Sequence, residues 1–174
     1  MKYFHKFFLI SMVLSCDNDN TIIQYQNEKV PLSIAQDFKM EYTDSTVTKS
    51  IVSAEYHYDF TNDSLNYSEF FENVKLTIYD DSKVSIINSD YAIVFNSYKF
   101  IEFSGNVNIK TSKNEVLKSN KLYYDTENEW LFTEEEFEYE DESNKIIANR
   151  LDSNRDFTDL VTGSLTGTIN ISDQ

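Results

Sequence analysis

A chain of 174 residues with 40% hydrophobic side chains has the size and apolar content of one ordinary domain with its own core. Three glycines and a single proline, Pro31, exclude collagen-like and low-complexity architectures. A formal charge of −15, from 15 basic and 30 acidic side chains, repels phosphate backbones and excludes nucleic acid as a partner.

The first segment reads as a targeting signal. Lys2 and Lys6 form a basic opening and residues 7–14 form an apolar run, which is far shorter than the roughly 20 residues a spanning helix needs. Losing residues 1–15 would leave 13 basic against 30 acidic side chains, a still more acidic body. Cys16 is the only cysteine, so neither an internal disulfide nor a cysteine-based zinc site can form. Its place after Val13, Leu14 and Ser15 resembles a bacterial lipobox. We therefore expect a lipoprotein signal peptide over residues 1–15, with lipidation at Cys16 anchoring the chain to a membrane. The alternative is an ordinary signal peptide with a stray cysteine. Residues 16–35 then carry the lipidated cysteine and a polar tether rich in Asn, Asp and Gln. Asp17 resembles an inner-membrane retention signal, which is a weak indication on its own.

From Gln36 to the end the period is two, the mark of strands. Phe38, Met40 and Tyr42 alternate, and Val52, Ala54, Tyr56, Tyr58 and Phe60 share a parity before the turn residues 61–64. Val74, Leu76 and Ile78 follow, then Val84 and Ile86 give way to Ile87, Tyr91 and Ile93. That change of phase predicts a β-bulge near Asn88. Phe103 to Asp125 then forms a hairpin, with Val107 and Ile109 on one strand and Leu122 and Tyr124 on the next. Trp130, Phe132, Phe137, Tyr139 and Leu151 continue the pattern. Val161, Gly163, Leu165, Gly167, Ile169 and Ile171 predict one last strand, at an edge.

The anchors Tyr56, Tyr91, Leu122 and Leu151 recur about every 30 to 35 residues, within the range of repeat architectures. Hairpins repeated with one apolar face must stack or curl to bury it. The predicted class is all-β: an elongated, partly open β-jelly roll of repeated antiparallel hairpins over residues 36–172.

Catalytic chemistry finds no constellation, and no cofactor or metal is expected. His57 is the one histidine beyond the leader and is expected to point outward from its strand. The acidic run 134–142 reads as a solvated hairpin with Phe137 and Tyr139 inward, rather than a cation site. The 25 Phe and Tyr residues exceed what a small sheet core needs and suit an apolar groove. We expect Tyr56, Tyr91, Ile93, Phe103, Val107, Ile109, Leu122, Tyr124 and Phe132 to line it.

The stretches Gly-Asn-Val-Asn-Ile (105–109), Leu-Lys-Ser-Asn-Lys-Leu-Tyr-Tyr-Asp (117–125) and Val-Thr-Gly-Ser-Leu (161–165), set behind an anchor and a tether, resemble the LptC family and its OstA-like relatives. Better-known members carry a transmembrane helix where this chain has a lipobox, and Ala148-Asn149 stands where some relatives have glycine. The resemblance implies a boat-shaped jelly roll in the periplasm, held at the inner membrane, whose interior takes the acyl chains of lipopolysaccharide. It implies two partners, the membrane subunits of the Lpt ABC transporter and a soluble LptA-like bridge protein. It also implies docking through edge strands: Phe38, Met40 and Tyr42 toward the transporter, and Val161, Gly163 and Leu165 toward the bridge. The alternative is a lipoprotein β-sandwich acting as a surface adhesin or carbohydrate-binding module. The single tryptophan, Trp130, argues against that reading.

Overall fold

The computed structural model describes residues 29–168 apart from Ser82. The expected signal peptide, Cys16, most of the tether, and Ile169 and Ile171 lie outside the described residues. The chain builds one antiparallel sheet from β1 (Ser33–Asp44), β2 (Val47–Phe60), β3 (Tyr67–Asp80), β4 (Lys83–Phe95), β5 (Phe100–Thr111), β6 (Val116–Asp125), β7 (Trp130–Glu140), β8 (Lys145–Asn154), β9 (Leu160–Thr162) and β10 (Leu165–Thr168). The order is sequential from β1 to β8, with β9 and β10 both pairing with β8. This is an open, all-β jelly roll of successive hairpins.

Turns of two to six residues impose the meander. Asp side chains close several of them by accepting backbone N–H bonds: Asp63 from Leu65 at 3.0 Å, Asp125 from Glu127 at 2.9 Å, Asp141 from Ser143 at 2.7 Å. A carboxylate that accepts such bonds is stabilised in its charged form. Asp125 accordingly titrates below the usual range, chiefly through Asn128, as does Asp141 through Asn144.

Every pair from β2/β3 to β7/β8 shifts register by one residue near mid-strand. The break near Asn88 is one of six. The extra residue sits in the odd-numbered strands, β3, β5 and β7, while in their even-numbered neighbours the buried set changes parity: Ala54 to His57, Ser89 to Ala92, Leu117 to Leu122, Ala148 to Leu151. The odd strands keep their parity across the break, as from Phe70 to Val74, Phe103 to Val107 and Thr133 to Phe137. They bend there through left-handed residues, at Glu72 and Asn73 in β3 and Gly105 and Asn106 in β5. Gly105 is required, because it has φ of +76° and a Cβ would lie 2.6 Å from Oδ2 of Asp90.

A line of bulges across a sheet is a crease, and the sheet coils along it. The tip of the β3–β4 hairpin lies at one end of its strands, yet it meets turns at the opposite end of β6, β7 and β8. Arg155, in the loop after β8, reaches Asp80 at 2.8 Å and Glu129 at 2.9 Å, and Lys83 reaches Asp156 at 2.6 Å. The inner face thus wraps one apolar cluster running from Ala54 to Phe157.

The predicted last strand is two short ones. Gly163 donates its N–H to the carbonyls of both Asn149 and Arg150, at 3.0 and 3.1 Å, and the chain bends between β9 and β10. A side chain at 163 would put its Cβ 2.6 Å from the Asn149 carbonyl oxygen. Val161 and Leu165 therefore belong to separate strands on the same neighbour, and Gly163 to the bend between them.

Candidate functional site

The inner face divides into two halves. Between β5 and β8 it is filled, with Leu117, Leu122, Leu131 and Leu151 completely buried. The loop after β8 closes that half: Phe157 packs edge-on to Tyr139 at 5.4 Å and Leu160 leans on the same cluster. Between β1 and β5 the inner face instead borders a cavity of about 520 Å³.

Its walls are apolar. Val52, Phe70, Val74 and Leu76 line its middle, Ala92, Val94, Ile101 and Phe103 its inner end. Polar side chains, among them Ser50, Thr61, Asn66 and Asn96, complete the lining. Met40 and Tyr42 flank it along β1 and remain 52% and 60% exposed, so the cavity is open along this edge of the sheet. Phe38, on the same strand, turns inward to stack on His57 at 4.2 Å and meets Phe70 edge-on at 5.6 Å.

His57 therefore faces inward, against the sequence expectation. The register shift against β3 between Ser53 and Tyr56 reverses the parity of the second half of β2 and turns the imidazole into the groove, 4.8 Å from Phe70. Burial among these rings lowers its pKa, and the nearby charge of Asp59 opposes the shift only in part. At neutral pH the groove is lined by a neutral ring, which suits an apolar guest.

The nine residues expected to line one groove are divided. Phe103 alone borders the cavity. Val107, Ile109, Leu122 and Tyr124 point inward but lie within the filled half, all at most 4% exposed. Tyr56, Tyr91, Ile93 and Phe132 are on the outer face. Pairing fixes this: Tyr91 and Tyr56 both flank Phe71, Ile93 pairs with Glu69, and Phe132 pairs with Tyr123. There they join an aromatic ladder outside the sheet, in which Phe71 meets Tyr58 and Tyr91 at 5.0 and 4.9 Å while Phe132 stacks on Tyr123 at 5.1 Å. Burial keeps the Tyr91 phenol strongly protonated, aided by Glu69. Aromatic surplus therefore covers both faces, and hydrophobicity alone does not tell them apart.

Sequence reading missed the wall residues Val52, Phe70 and Val94. The signal was present in Glu72-Asn73, a polar pair between Phe71 and Val74 that marks the crease. The acidic run holds Phe137 and Tyr139 inward and leaves Glu134, Glu135 and Glu136 exposed, while Glu138 is held by Lys145 at 3.1 Å and Lys118 at 3.6 Å. Among the described residues no three His, Cys, Asp or Glu side chains converge as metal ligands, and no helix is long and apolar enough to cross a membrane.

The arrangement offers mainly apolar contact, which suits a hydrocarbon chain. Burial of such a chain is worth about 0.8 kcal/mol per methylene. No curated protein matches the chain significantly. The family described as lipopolysaccharide-assembly, LptC-related, matches residues 7–160, from the start of the apolar run 7–14 to the first residue of β9. With this match over most of its length, the chain belongs to the LptC family and takes part in lipopolysaccharide transport.

Proposed function

We propose that the chain is a periplasmic lipid-transfer component of lipopolysaccharide export, anchored to the inner membrane through a lipid on Cys16. It accepts lipopolysaccharide from the membrane subunits of the Lpt ABC transporter, holds the acyl chains in the groove, and passes them to an LptA-like bridge protein. The observation that carries this reading is the apolar cavity of about 520 Å³ opening along β1, the edge strand nearest the anchor in sequence.

Two features support the direction of transfer. The sheet path ends at β1 on one side and at β9 and β10 on the other, so each end offers strand edges for pairing with another protein. The groove lies at the β1 end, where Phe38, Met40 and Tyr42 serve both as edge strand and as cavity wall. A lipid arriving at that edge enters without crossing the filled core. The work of transfer comes from ATP hydrolysis by the transporter, and this chain needs no cofactor.

The test is site-specific photocrosslinking in living cells with the probe at Phe38. A lipopolysaccharide adduct that disappears when the transporter's ATPase is inactivated is the expected result. An adduct that persists undiminished with an inactive ATPase, or none at Phe38 in a well-expressed chain, would refute the transfer role.

A further inference from the structure

The outer face carries a second concavity along the crease, where a polar row of side chains lies beside Val107, Phe137 and Ile147. A cleft of about 500 Å³ runs across β5, β6 and β7, bordered by Asn106, Asn108, Lys118, Asn120 and Glu138. A neighbouring hollow of about 370 Å³ shares Asn106 and extends the concavity to Lys75 and Asn88. Asn106 donates to Oδ2 of Asp90 at 2.7 Å, at the junction of the two.

Strand pairing places five of these side chains in one transverse row. Lys75 is opposite Asn88, Asn88 opposite Asn108, Asn108 opposite Lys118, and Lys118 opposite Glu138. Polar groups thus recur about every 4.8 Å, the spacing of adjacent strands. This is close to the rise of one pyranose unit in an extended glycan.

Backbone geometry does not explain the asparagines. Asn is depleted in strands because it packs poorly on a pleated surface. Where it occurs it usually serves a left-handed position, as Asn73 and Asn106 do with φ of 54° and 49°. Asn88, Asn108 and Asn120 have no such backbone, and within the described residues their amides make no hydrogen bond. Each presents a donor and an acceptor side by side, which is the match for a pair of vicinal hydroxyls. The mixed lysine and glutamate content disfavours a strongly anionic polymer, and the row of amides and charges disfavours an acyl chain.

We propose that this crease is a glycan-binding site, occupied by a hydroxyl-rich saccharide chain lying across β3 to β7. It is separate from the acyl groove, on the opposite face of the same sheet. Two envelope sources offer that chemistry: the outer, hydroxyl-rich sugars of lipopolysaccharide and the glycan strands of peptidoglycan.

The test is calorimetric titration of the purified full-length chain with each in turn, using deacylated lipopolysaccharide saccharide and soluble peptidoglycan strands. Binding of either supports the site and identifies the source. Asn88→Thr combined with Asn108→Thr should weaken that binding about tenfold or more, the loss expected for the hydrogen bonds removed. The same variant should keep or raise the melting temperature, since Thr suits a strand better than Asn. Phe38→Ala, which alters only the acyl groove, should leave saccharide binding unchanged. Failure of both saccharides to bind, or equal binding by the double variant, would overturn the proposal without touching the acyl reading.

Discussion

The two halves of the inner face come from the same repeated hairpin, yet one is a core and the other a groove. Around β6 to β8 the loop after β8 folds back, placing Phe157 and Leu160 over the cluster and pinning itself through the buried Arg155. Around β1 to β3 the described residues include no comparable segment, and Met40 and Tyr42 stay exposed at the rim. A jelly-roll repeat supplies an apolar face everywhere. Whether that face becomes a core or a binding site depends on what covers it.

The contrast is sharpest in stability. Leu122→Ala in the filled half should cost about 2–5 kcal/mol in chemical denaturation, since it leaves a void among fully buried neighbours. Met40→Ala at the rim should cost well under about 1 kcal/mol, as the side chain is half exposed already. Comparable losses from the two would erase the distinction between the halves.

Next in size is the clasp. Arg155→Met removes two charge-assisted hydrogen bonds, to Asp80 and Glu129, whose carboxylates are half exposed and can rehydrate. We expect a loss of about 2 kcal/mol together with increased binding of a hydrophobic dye, as the covering loop loosens. An unchanged melting curve would show that packing at Phe157 suffices to hold the loop.

The smallest effect is a pH dependence confined to the groove. The pKa of His57 is lowered in the folded chain, so below the ordinary histidine value of about 6.5 the unfolded chain takes up the proton first. Stability from this group is complete above that pH and declines as pH falls toward the lowered value. His57→Phe should flatten this part of the pH profile, measured by denaturation between pH 7 and pH 5. A slope identical to that of the unmodified chain would assign it to other groups.

The fold class was legible because period-two alternation and polar turns persist along the chain. The inner register was not, because a bulge adds one residue without changing composition. Even Ile86-Ile87, whose adjacent apolar residues suggest a phase change, lie in regular pairing on opposite faces, and the break falls later, between Asn88 and Tyr91. In β2 the run Val52, Ala54, Tyr56, Tyr58, Phe60 reads as one unbroken stripe, although Ala54 is inside and Tyr56 outside. In β7 the rings of Trp130 and Phe132 carry more apolar area than Leu131 and Thr133, yet the latter two are the buried pair. The groove's position depends on long-range closure by residues 155–160, which no local pattern announces.

The most direct test of the central claim is methyl NMR of the chain titrated with lipopolysaccharide, comparing the two halves in a single experiment. The account predicts shifted resonances for Met40, Val52 and Val94 around the groove, with Leu131 and Leu151 unmoved. Shifts concentrated at Leu131 and Leu151, or none at Met40, Val52 and Val94 under saturating lipid, would contradict it.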